Sequence, residues 1–229
     1  ADKFRKVSDS NFTDTGELRR FVAQQIYDYH ILSGRGIIAR FEEDSYDKYI
    51  WFARMGDGSL GGKARGLGFL NSLIQKHQLA GKYESVKISI PRTIVIATDY
   101  FDEFLIENDL HYIVNSDISD DEILSEFVAS RLPKRLVDDL KVFIRTVNSP
   151  LAIRSSSKLE DSNYQPFAGV YSTYMIPYIE NRDQMFRMLC KAVKSVYASV
   201  FFNGSRAYIH TTGNLLSEEK MAVVVQSIC

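Results

Sequence analysis

The part of the sequence best suited to chemistry is a glycine-rich stretch that contains a lysine. Six of the chain's 13 glycines lie between Gly56 and Gly68, and apolar residues at helical spacing follow to about Gln78. Glycine lets backbone N–H groups approach an anion closely, and a helix N-terminus adds the positive end of a dipole. Lys63 falls in the first turn, where a cation is unfavourable unless an anion lies beside it. The pattern predicts a phosphate-binding loop, and a flexible glycine turn with an exposed lysine explains it equally well.

Arginine and serine residues form a second candidate site. Arg154 follows the apolar residues 151–153 and precedes three serines at 155–157. An arginine at the end of a strand is a good bidentate ligand for phosphate, and the hydroxyls add neutral donors. A surface arginine beside a serine-rich turn is the alternative that these residues alone favour. Residues 166–174 (PFAGVYSTY) fit either a mobile loop over a ligand or an edge hairpin.

The glycine stretch also allows a test of two familiar nucleotide-binding patterns. Residues 56–61 spell GxGxxG, and residues 49–52 are a candidate for the preceding strand, so a dinucleotide-binding fold stays open as a weaker alternative. The Walker A pattern fails, because Asp57 stands where it needs glycine and Ala64 where it needs Ser or Thr. The four histidines lack the spacing of metal ligands, so no metal site is predicted in this chain.

Helices and strands are interspersed along the chain, which predicts an α/β or α+β fold. The predicted helices cover residues 14–32, about 61–78, 98–105, 119–131, 133–147 and 181–202. The predicted strands cover residues 37–41, 93–97, 150–154, 170–176 and 221–228, with an irregular polar segment at 155–166. Capping residues are predicted at Asp14, at Thr98 or Asp99, at Ser119 and at Asn181. The apolar face of the helix after the glycine stretch is predicted to consist of Leu67, Leu70, Leu73 and Ile74.

The composition is that of an ordinary folded protein of 229 residues, 45% hydrophobic and 25% charged. Lys and Arg total 28 against 29 Asp and Glu, so no bulk charge points to nucleic acid or to an anionic membrane as a partner. No apolar run approaches the roughly 20 residues that span a bilayer. The two cysteines make no disulfide framework, so we expect a cytoplasmic protein.

Several segments, each weak alone, occur in an order typical of one protein family. Residues 61–68 (GGKARGLG) resemble GGKGANLG, and residues 152–161 (AIRSSSKLED) resemble AVRSSATAED. Residues 167–174 (FAGVYSTY) resemble FAGQ(Y/H)xTY, and residues 221–226 read MAVVVQ. These are signatures of phosphoenolpyruvate synthase and pyruvate phosphate dikinase, and the chain resembles that family over residues 58–229.

The resemblance implies the first lobe of an ATP-grasp-type nucleotide-binding domain, with a mixed sheet and flanking helices, over residues 58–229. Residues 1–57 are then an N-terminal helical extension of unknown role. Lys63 and Arg154 are implied to contact the phosphates of ATP as catalytic residues. The rest of the implied ATP site consists of Gly61, Gly62, Ser155, Gly169, Thr173 and Gln226, with Gly169 and Thr173 in a loop over the phosphates and Gln226 beside the adenine.

The same resemblance implies a phosphotransferase that uses ATP and Mg²⁺. In that family ATP phosphorylates a histidine on a separate swivelling domain, and the phosphoryl group then passes to pyruvate on a third domain. These domains and a second ATP-binding lobe are the implied partners. The family's metal ligands follow the MAVVVQ strand, so we expect them beyond residue 229. We also expect the chain to be part of a longer protein and to be inactive alone.

The sequence departs from the family pattern at two places in the implied site. Ala64, Arg65 and Gly66 replace Gly-Ala-Asn after the lysine, and residues 157–159 (SKL) replace a run of small residues. A second class of function stays open, namely a regulatory nucleotide-sensing module whose parent protein has lost turnover. The acidic metal ligands expected beyond residue 229 distinguish the two classes. The dinucleotide-binding fold remains the weaker alternative.

Overall fold

The computed structural model describes residues 14–19, 21–22, 38–42, 50–83, 85–86, 88–157, 169–212 and 215–228. Near the N-terminus, residues 15–19 and 21–22 are helical. Asp14 Oδ1 accepts a hydrogen bond from Glu17 N at 2.7 Å, as the predicted cap requires. The rest of the helix predicted at 14–32 lies outside the described residues.

Strands and helices are interspersed along the chain, as the sequence predicts. In chain order the elements are β1 (Ala39–Arg40), β2 (Phe52–Met55), α1 (Gly61–Lys76), β3 (Thr93–Ile96), α2 (Thr98–Glu107), α3 (Asp120–Ala129), α4 (Lys134–Thr146), β4 (Leu151–Ser157), β5 (Thr173–Ile176), α5 (Arg182–Ala198), α6 (Asn203–Thr211) and β6 (Met221–Ser227). Short 3₁₀ helices lie at Leu79–Gly81, Leu110–Asn115, Ser199–Phe201 and Leu216–Glu218. No helix in these ranges is long and apolar enough to cross a membrane.

The six strands form one mixed sheet in the order β1-β2-β3-β6-β4-β5. The strands β1, β2 and β3 are parallel, whereas β6 runs antiparallel to both of its neighbours and β5 antiparallel to β4. This confirms the predicted α/β class with a mixed sheet and flanking helices. It is not the mostly parallel sheet that the dinucleotide-binding alternative required. The strand predicted at 221–228 is confirmed as β6, which lies in the interior of the sheet.

One face of the sheet, here called the α1 face, is covered in part by α1. Ala64 of this helix is buried against Val95 and Val224, and Leu67 and Ile74 pack at the same cluster. Leu70, predicted on the buried side, is 51% exposed. That prediction was wrong because the sheet covers only a narrow stripe of the helix, and Leu70 lies to one side of it.

The opposite face of the sheet carries the main hydrophobic core, under α2, α3, α4 and α5. Five buried rings at its centre contact one another with centroid separations between 5.1 and 6.3 Å. They are Phe101, Phe104, Phe127, Tyr197 and Phe201. Large buried rings contribute much of a core's burial energy, and their edge and tilted contacts add to it. This layer forms a rigid base for the side chains on the α1 face.

Two predicted helix caps, each formed by residues three apart in the sequence, are confirmed. Ser119 and Glu122 form a reciprocal capping box at the start of α3, and the Asn181 side chain accepts from Gln184 N at the start of α5. Pro133 directly precedes α4, in which Leu136, Leu140 and Phe143 are buried.

The predicted cap of α2 is wrong. The helix begins after Ala97, and none of the described side chains caps it. Thr98 Oγ1 instead accepts from Ser59 N at 3.0 Å, and Asp99 Oδ2 accepts from Asp57 N at 2.9 Å. Both side chains accept hydrogen bonds from the glycine stretch instead of capping the helix, because that loop folds over the start of α2.

Strand β4 is longer than predicted. The three serines at 155–157, expected in an irregular segment, continue the strand and are buried. They pair with residues 221–223 of β6, whose long apolar run extends the ladder. Arg154 therefore lies in the middle of β4 and not at its end. β5 begins at Thr173, so residues 170–172 lie before the strand.

Candidate functional site

The glycine stretch packs tightly onto the start of α2. Gly56 has a φ of +87°, and a Cβ built there would lie 2.4 Å from Asp99 Oδ1. A Cβ at Gly58 would lie 2.5 Å from Asp99 N. Glycine is needed at both positions because protein atoms fill the space that a side chain would take. The first half of the stretch is therefore a structural turn.

Gly61 brings the N-terminus of α1 against β4. Its φ is +71°, and a Cβ built there would lie only 1.7 Å from Ser156 O. The Ser156 hydroxyl accepts from Ala64 N at 3.1 Å and donates to Leu60 O at 2.8 Å. Ser59 Oγ accepts from Gly61 N at 3.3 Å. The helix start is thus held by hydroxyls that satisfy two of its first backbone donors. Gly62, the next residue, is buried in the same turn.

Lys63 projects from this first turn towards β4. It is half-buried, and its ammonium donates to Ser155 Oγ at 3.3 Å, across 92 residues of sequence. Ser155 is the residue after Arg154 and lies beyond the part of β4 that pairs with β5. Lys63 and Arg154, chosen from separate motifs, therefore meet β4 at neighbouring positions.

Arg154 lies exposed on the α1 face, and a chain of hydrogen bonds leads from it across the sheet. Its NH1 donates to Gln226 Oε1 at 3.4 Å, and Gln226 Nε2 donates to Thr93 Oγ1 at 3.1 Å. Thr93 Oγ1 in turn donates to Pro91 O at 2.8 Å. Gln226 and Thr93 are buried. The buried pair fixes the orientation of the amide that contacts the guanidinium.

Strand register decides which candidate residues share a surface. Arg154 pairs with Val224 on one side and with Thr173 on the other, so all three lie on the α1 face. Gln226, two residues beyond Val224, lies there too. Ser155 points to the opposite side of β4 by the same alternation, and Lys63 reaches it from the helix above. Arg154, Thr173 and Gln226 are therefore grouped on the α1 face, whereas the Lys63 ammonium contacts β4 at Ser155, whose side chain points to the other side of the strand.

The remaining predicted residue, Gly169, has a φ of +79° with none of the described atoms within 4 Å of a built Cβ. It precedes Tyr171, whose hydroxyl donates to the buried Glu219 at 3.0 Å. The structure does not bring Gly169 into contact with Lys63 or Arg154. Residues 166–168, the first three of the loop predicted at 166–174, lie outside the described residues.

Sequence reasoning missed two residues that support the site. The serine run was interpreted as a set of phosphate donors, yet Ser156 is used to hold the start of α1. Thr93 was noted only as the start of a strand. Nothing local distinguishes either residue, since each acts on a partner more than 90 residues away.

A group of ionisable residues lies under the glycine stretch. Burial raises the pKa of Tyr100 to about 12, while its hydrogen bond from Arg135 opposes this and the charge of Asp139 adds to it. Burial also holds the pKa of Tyr197 well above its usual value, and the charge of Asp99 adds to the shift. Tyr197 OH and Asp99 Oδ1 have no hydrogen-bond partner within the described ranges. Asp99 holds the glycine stretch through Asp57 N, and Tyr100 and Tyr197 belong to the main core on the opposite face of the sheet.

The described residues contain no group of three or more His, Cys, Asp or Glu side chains that could hold a metal ion. We therefore assign no metal ligand among them.

Comparison with known proteins identifies the family to which the chain belongs. Residues 57–229 match the family described as "Pyruvate phosphate dikinase, AMP/ATP-binding domain". A comparison with the curated proteins finds no match. Because the family match spans well over half of the chain, the chain belongs to this family, as its motifs predicted.

Proposed function

We propose that this member of the pyruvate phosphate dikinase AMP/ATP-binding family binds the phosphates of ATP on the α1 face, between the start of α1 and Arg154. The observation that carries the proposal is the meeting of two distant cations at β4. Lys63 contacts Ser155, and Arg154 is oriented by Gln226 from the next strand. In this proposal an anion bound next to residues 154–155 of β4 is contacted by the Arg154 guanidinium, and by Lys63 once its ammonium leaves Ser155.

Each candidate residue has a physical role in this proposal. Gly61 and Gly62 let the start of α1 lie against β4, so the helix dipole points at the phosphates. Arg154 presents its planar fork to phosphate oxygens from an exposed position. Lys63 exchanges the Ser155 hydroxyl for a phosphate oxygen, which its long side chain allows. Thr173, directly across from Arg154, adds a hydroxyl, and Gly169 belongs to the loop that approaches from β5.

The chemistry we propose is transfer of a phosphoryl group from ATP to a histidine on a separate swivelling domain, and from there to pyruvate or a related acceptor. Transfer requires charge neutralisation around the moving group from several sides. Lys63 and Arg154 provide this positive charge on one side of the transferred group. Mg²⁺ would neutralise further phosphate charge when bound, with ligands we place beyond residue 229.

The electrostatics favour weak binding by this chain alone. Its contacts with a triphosphate would remain solvated, where each charge pair is worth about 1 kcal/mol or less. A second lobe that closes over the nucleotide would exclude water and strengthen the same contacts. We therefore propose that phosphoryl transfer belongs to a longer chain that carries the downstream domains.

The test is an ATP titration of this chain followed by NMR, with Lys63→Ala and Arg154→Ala. Each substitution should weaken ATP binding by about fivefold, the equivalent of one solvated charge contact. Lys76→Ala, in the last turn of the same helix, and Arg145→Ala, in the last turn of α4, are matched controls because both side chains are exposed and lie outside the site. If all four variants bind ATP with the affinity of the wild type, the proposed phosphate site is refuted. Binding without turnover in a longer chain with the downstream domains would favour the nucleotide-sensing alternative.

A further inference from the structure

The register of β5 against β4 decides where Thr173 lies. The strand has four residues and stands at the edge of the sheet, so β4 is its sole neighbour among the described strands. In the observed register Thr173 lies across from Arg154. Because side chains alternate along a strand, Thr173 and Met175 lie on the α1 face. Tyr174 and Ile176 pack against the main core instead.

The apolar pattern of β5 opposes a slip of one residue but allows a slip of two. A one-residue slip would turn Tyr174 and Ile176 out of the core. A two-residue slip keeps every side chain on its present side and moves the strand by about 7 Å. It would place Met175 across from Arg154, and a thioether is only a weak acceptor and donates no hydrogen bond. Contacts outside the four residues of the strand must therefore fix its register.

Two hydrogen bonds hold the residues that directly precede β5. The Tyr171 hydroxyl donates to Glu219 Oε1 at 3.0 Å, and these residues are only 7% and 5% exposed. Ser172 N donates to Ser199 Oγ at 3.2 Å, and the Ser199 hydroxyl donates to Val196 O at 2.7 Å. Ser199 is buried directly after α5. Neither acceptor belongs to β5, so each bond resists a slip of that strand.

Glu219 links the residues before β5 to those before β6. It lies two residues ahead of Met221, the first residue of β6, and β4 lies between the two strands. A two-residue slip would carry Tyr171 about 7 Å from its present position, beyond the length of a hydrogen bond. A buried polar group is costly to leave without its partner, so the Tyr171–Glu219 bond opposes the slip strongly.

Resting on the proposed function, we infer that Tyr171 and Glu219 are positioning residues for phosphate binding. Their buried hydrogen bond fixes the register of β5 and so keeps the Thr173 hydroxyl across from the Arg154 guanidinium. Tyr171 packs in the main core, on the opposite face of the sheet from the proposed phosphate site. It therefore acts on the ligand through Thr173 and not by contact.

Register and binding are measured separately in the 229-residue chain. Tyr171→Phe removes the hydroxyl that donates to Glu219, and Glu219→Gln keeps an oxygen acceptor for it. The register is followed by NMR, from NOEs between the backbones of β4 and β5 and from hydrogen exchange of the β5 amides. ATP affinity is measured by NMR titration of the same variants and of Thr173→Val. Tyr112→Phe is the matched control, because the Tyr112 hydroxyl also donates to a glutamate, Glu126, but at an exposed position.

Tyr171→Phe should weaken the NOE between Arg154 and Thr173, produce one between Arg154 and Met175, and speed exchange of the β5 amides by about tenfold. ATP affinity should fall about threefold, the scale of one neutral hydrogen bond, as it should in Thr173→Val. The double variant Tyr171→Phe/Thr173→Val should lose no more than either single variant, because both act through one hydroxyl. Glu219→Gln and the control should equal the wild type.

Three results overturn the inference while the proposed function stands. In the first, Tyr171→Phe keeps the wild-type NOEs and exchange rates. In the second, the register shifts but ATP affinity does not. In the third, the loss of affinity adds to that of Thr173→Val, so that Tyr171 acts elsewhere.

If Tyr171→Phe does not fold, Tyr171→Phe/Glu219→Leu replaces it in every measurement, because the hydrogen bond is then removed together with the buried carboxylate that it served. A wild-type chain that binds no ATP refutes the proposed function and with it the role of Tyr171 in binding, whatever the register.

Discussion

Replacement of Gly61 by alanine should destabilise the protein more than any other single methyl addition in the glycine stretch. The new Cβ would lie 1.7 Å from Ser156 O, and the backbone φ of +71° is unfavourable for any residue with a Cβ. The left-handed conformation costs about 1–2 kcal/mol, and an overpacked contact costs about 1–3 kcal/mol more. The free energy of unfolding should therefore fall by roughly 2–5 kcal/mol.

The clash cannot be relieved by a side-chain rotation, because the atom in the way belongs to the backbone of β4. Relief requires α1 to move away from β4, which breaks the hydrogen bonds of Ser156 with Leu60 and Ala64. In a domain of this size each kcal/mol lowers the melting temperature by about 2–4 °C, so the expected loss is roughly 5–15 °C.

Thermal unfolding followed by circular dichroism measures this loss, and Gly66→Ala is the matched control. Gly66 lies in the same helix, and none of the described atoms is within 4 Å of its built Cβ. Alanine there should stabilise the chain by about 0.5–1 kcal/mol through helix propensity alone. A Gly61→Ala protein that melts within about 2 °C of the wild type would refute the close contact at Ser156.

Other substitutions test the site and the core. Thr93→Val removes the acceptor of the buried Gln226 amide and should cost about 1–3 kcal/mol of stability in urea unfolding, together with a loss of ATP affinity through Arg154. In a longer chain that carries the downstream domains, Lys63→Ala and Arg154→Ala should each lower the rate of phosphoryl transfer by roughly 10²-fold or more in a phosphorylation assay, with little change in melting temperature. Tyr197→Phe should leave stability at neutral pH equal or up to about 1 kcal/mol higher, because the hydroxyl is buried with no partner in the described chain. The raised pKa of Tyr197 keeps this residue neutral in the folded state. The wild-type free energy of unfolding therefore keeps its whole Tyr197 contribution below the unfolded-state pKa of about 10 and decreases as the pH rises above it. In an alkaline titration the stability of Tyr197→Phe should decrease less steeply with pH.

Local patterns in the sequence predicted the features of the fold that local interactions determine. The capping box at Ser119 and the cap at Asn181 depend on residues three apart, so their spacing alone identifies them. The mixed sheet followed from the interspersed elements and the family resemblance. The existence of the strand β6 followed from its unbroken apolar run.

Features that depend on distant partners were missed. Thr98 and Asp99 have the residue types of helix caps, but the folded glycine stretch offers them backbone donors and takes both side chains. The three serines looked like a turn because serine favours turns, but pairing with β6 extends β4 through them.

The candidate site was predicted in part for the same reason. Residue type and motif identified Lys63 and Arg154, and in the structure Lys63 contacts Ser155, the residue that follows Arg154. The hydrogen bonds that orient Arg154 run through Gln226 and Thr93, on strands 133 residues apart in sequence. No spacing rule connects such residues before the sheet is assembled.

The position of β6 has a consequence for how the protein is made. It is the last described strand to leave the ribosome, yet within the sheet it is the strand that joins β3 to β4. Until residues 221–227 have emerged, the parallel half of the sheet and the β4–β5 hairpin have no shared ladder, and each exposes an open edge. Pairings this distant in sequence form slowly, and the open edges are exposed to aggregation in the meantime. Because Gln226 is carried on this strand, the surroundings of Arg154 are completed in the same step that closes the sheet. A nascent chain that has not finished folding therefore lacks the hydrogen bond that orients the Arg154 guanidinium.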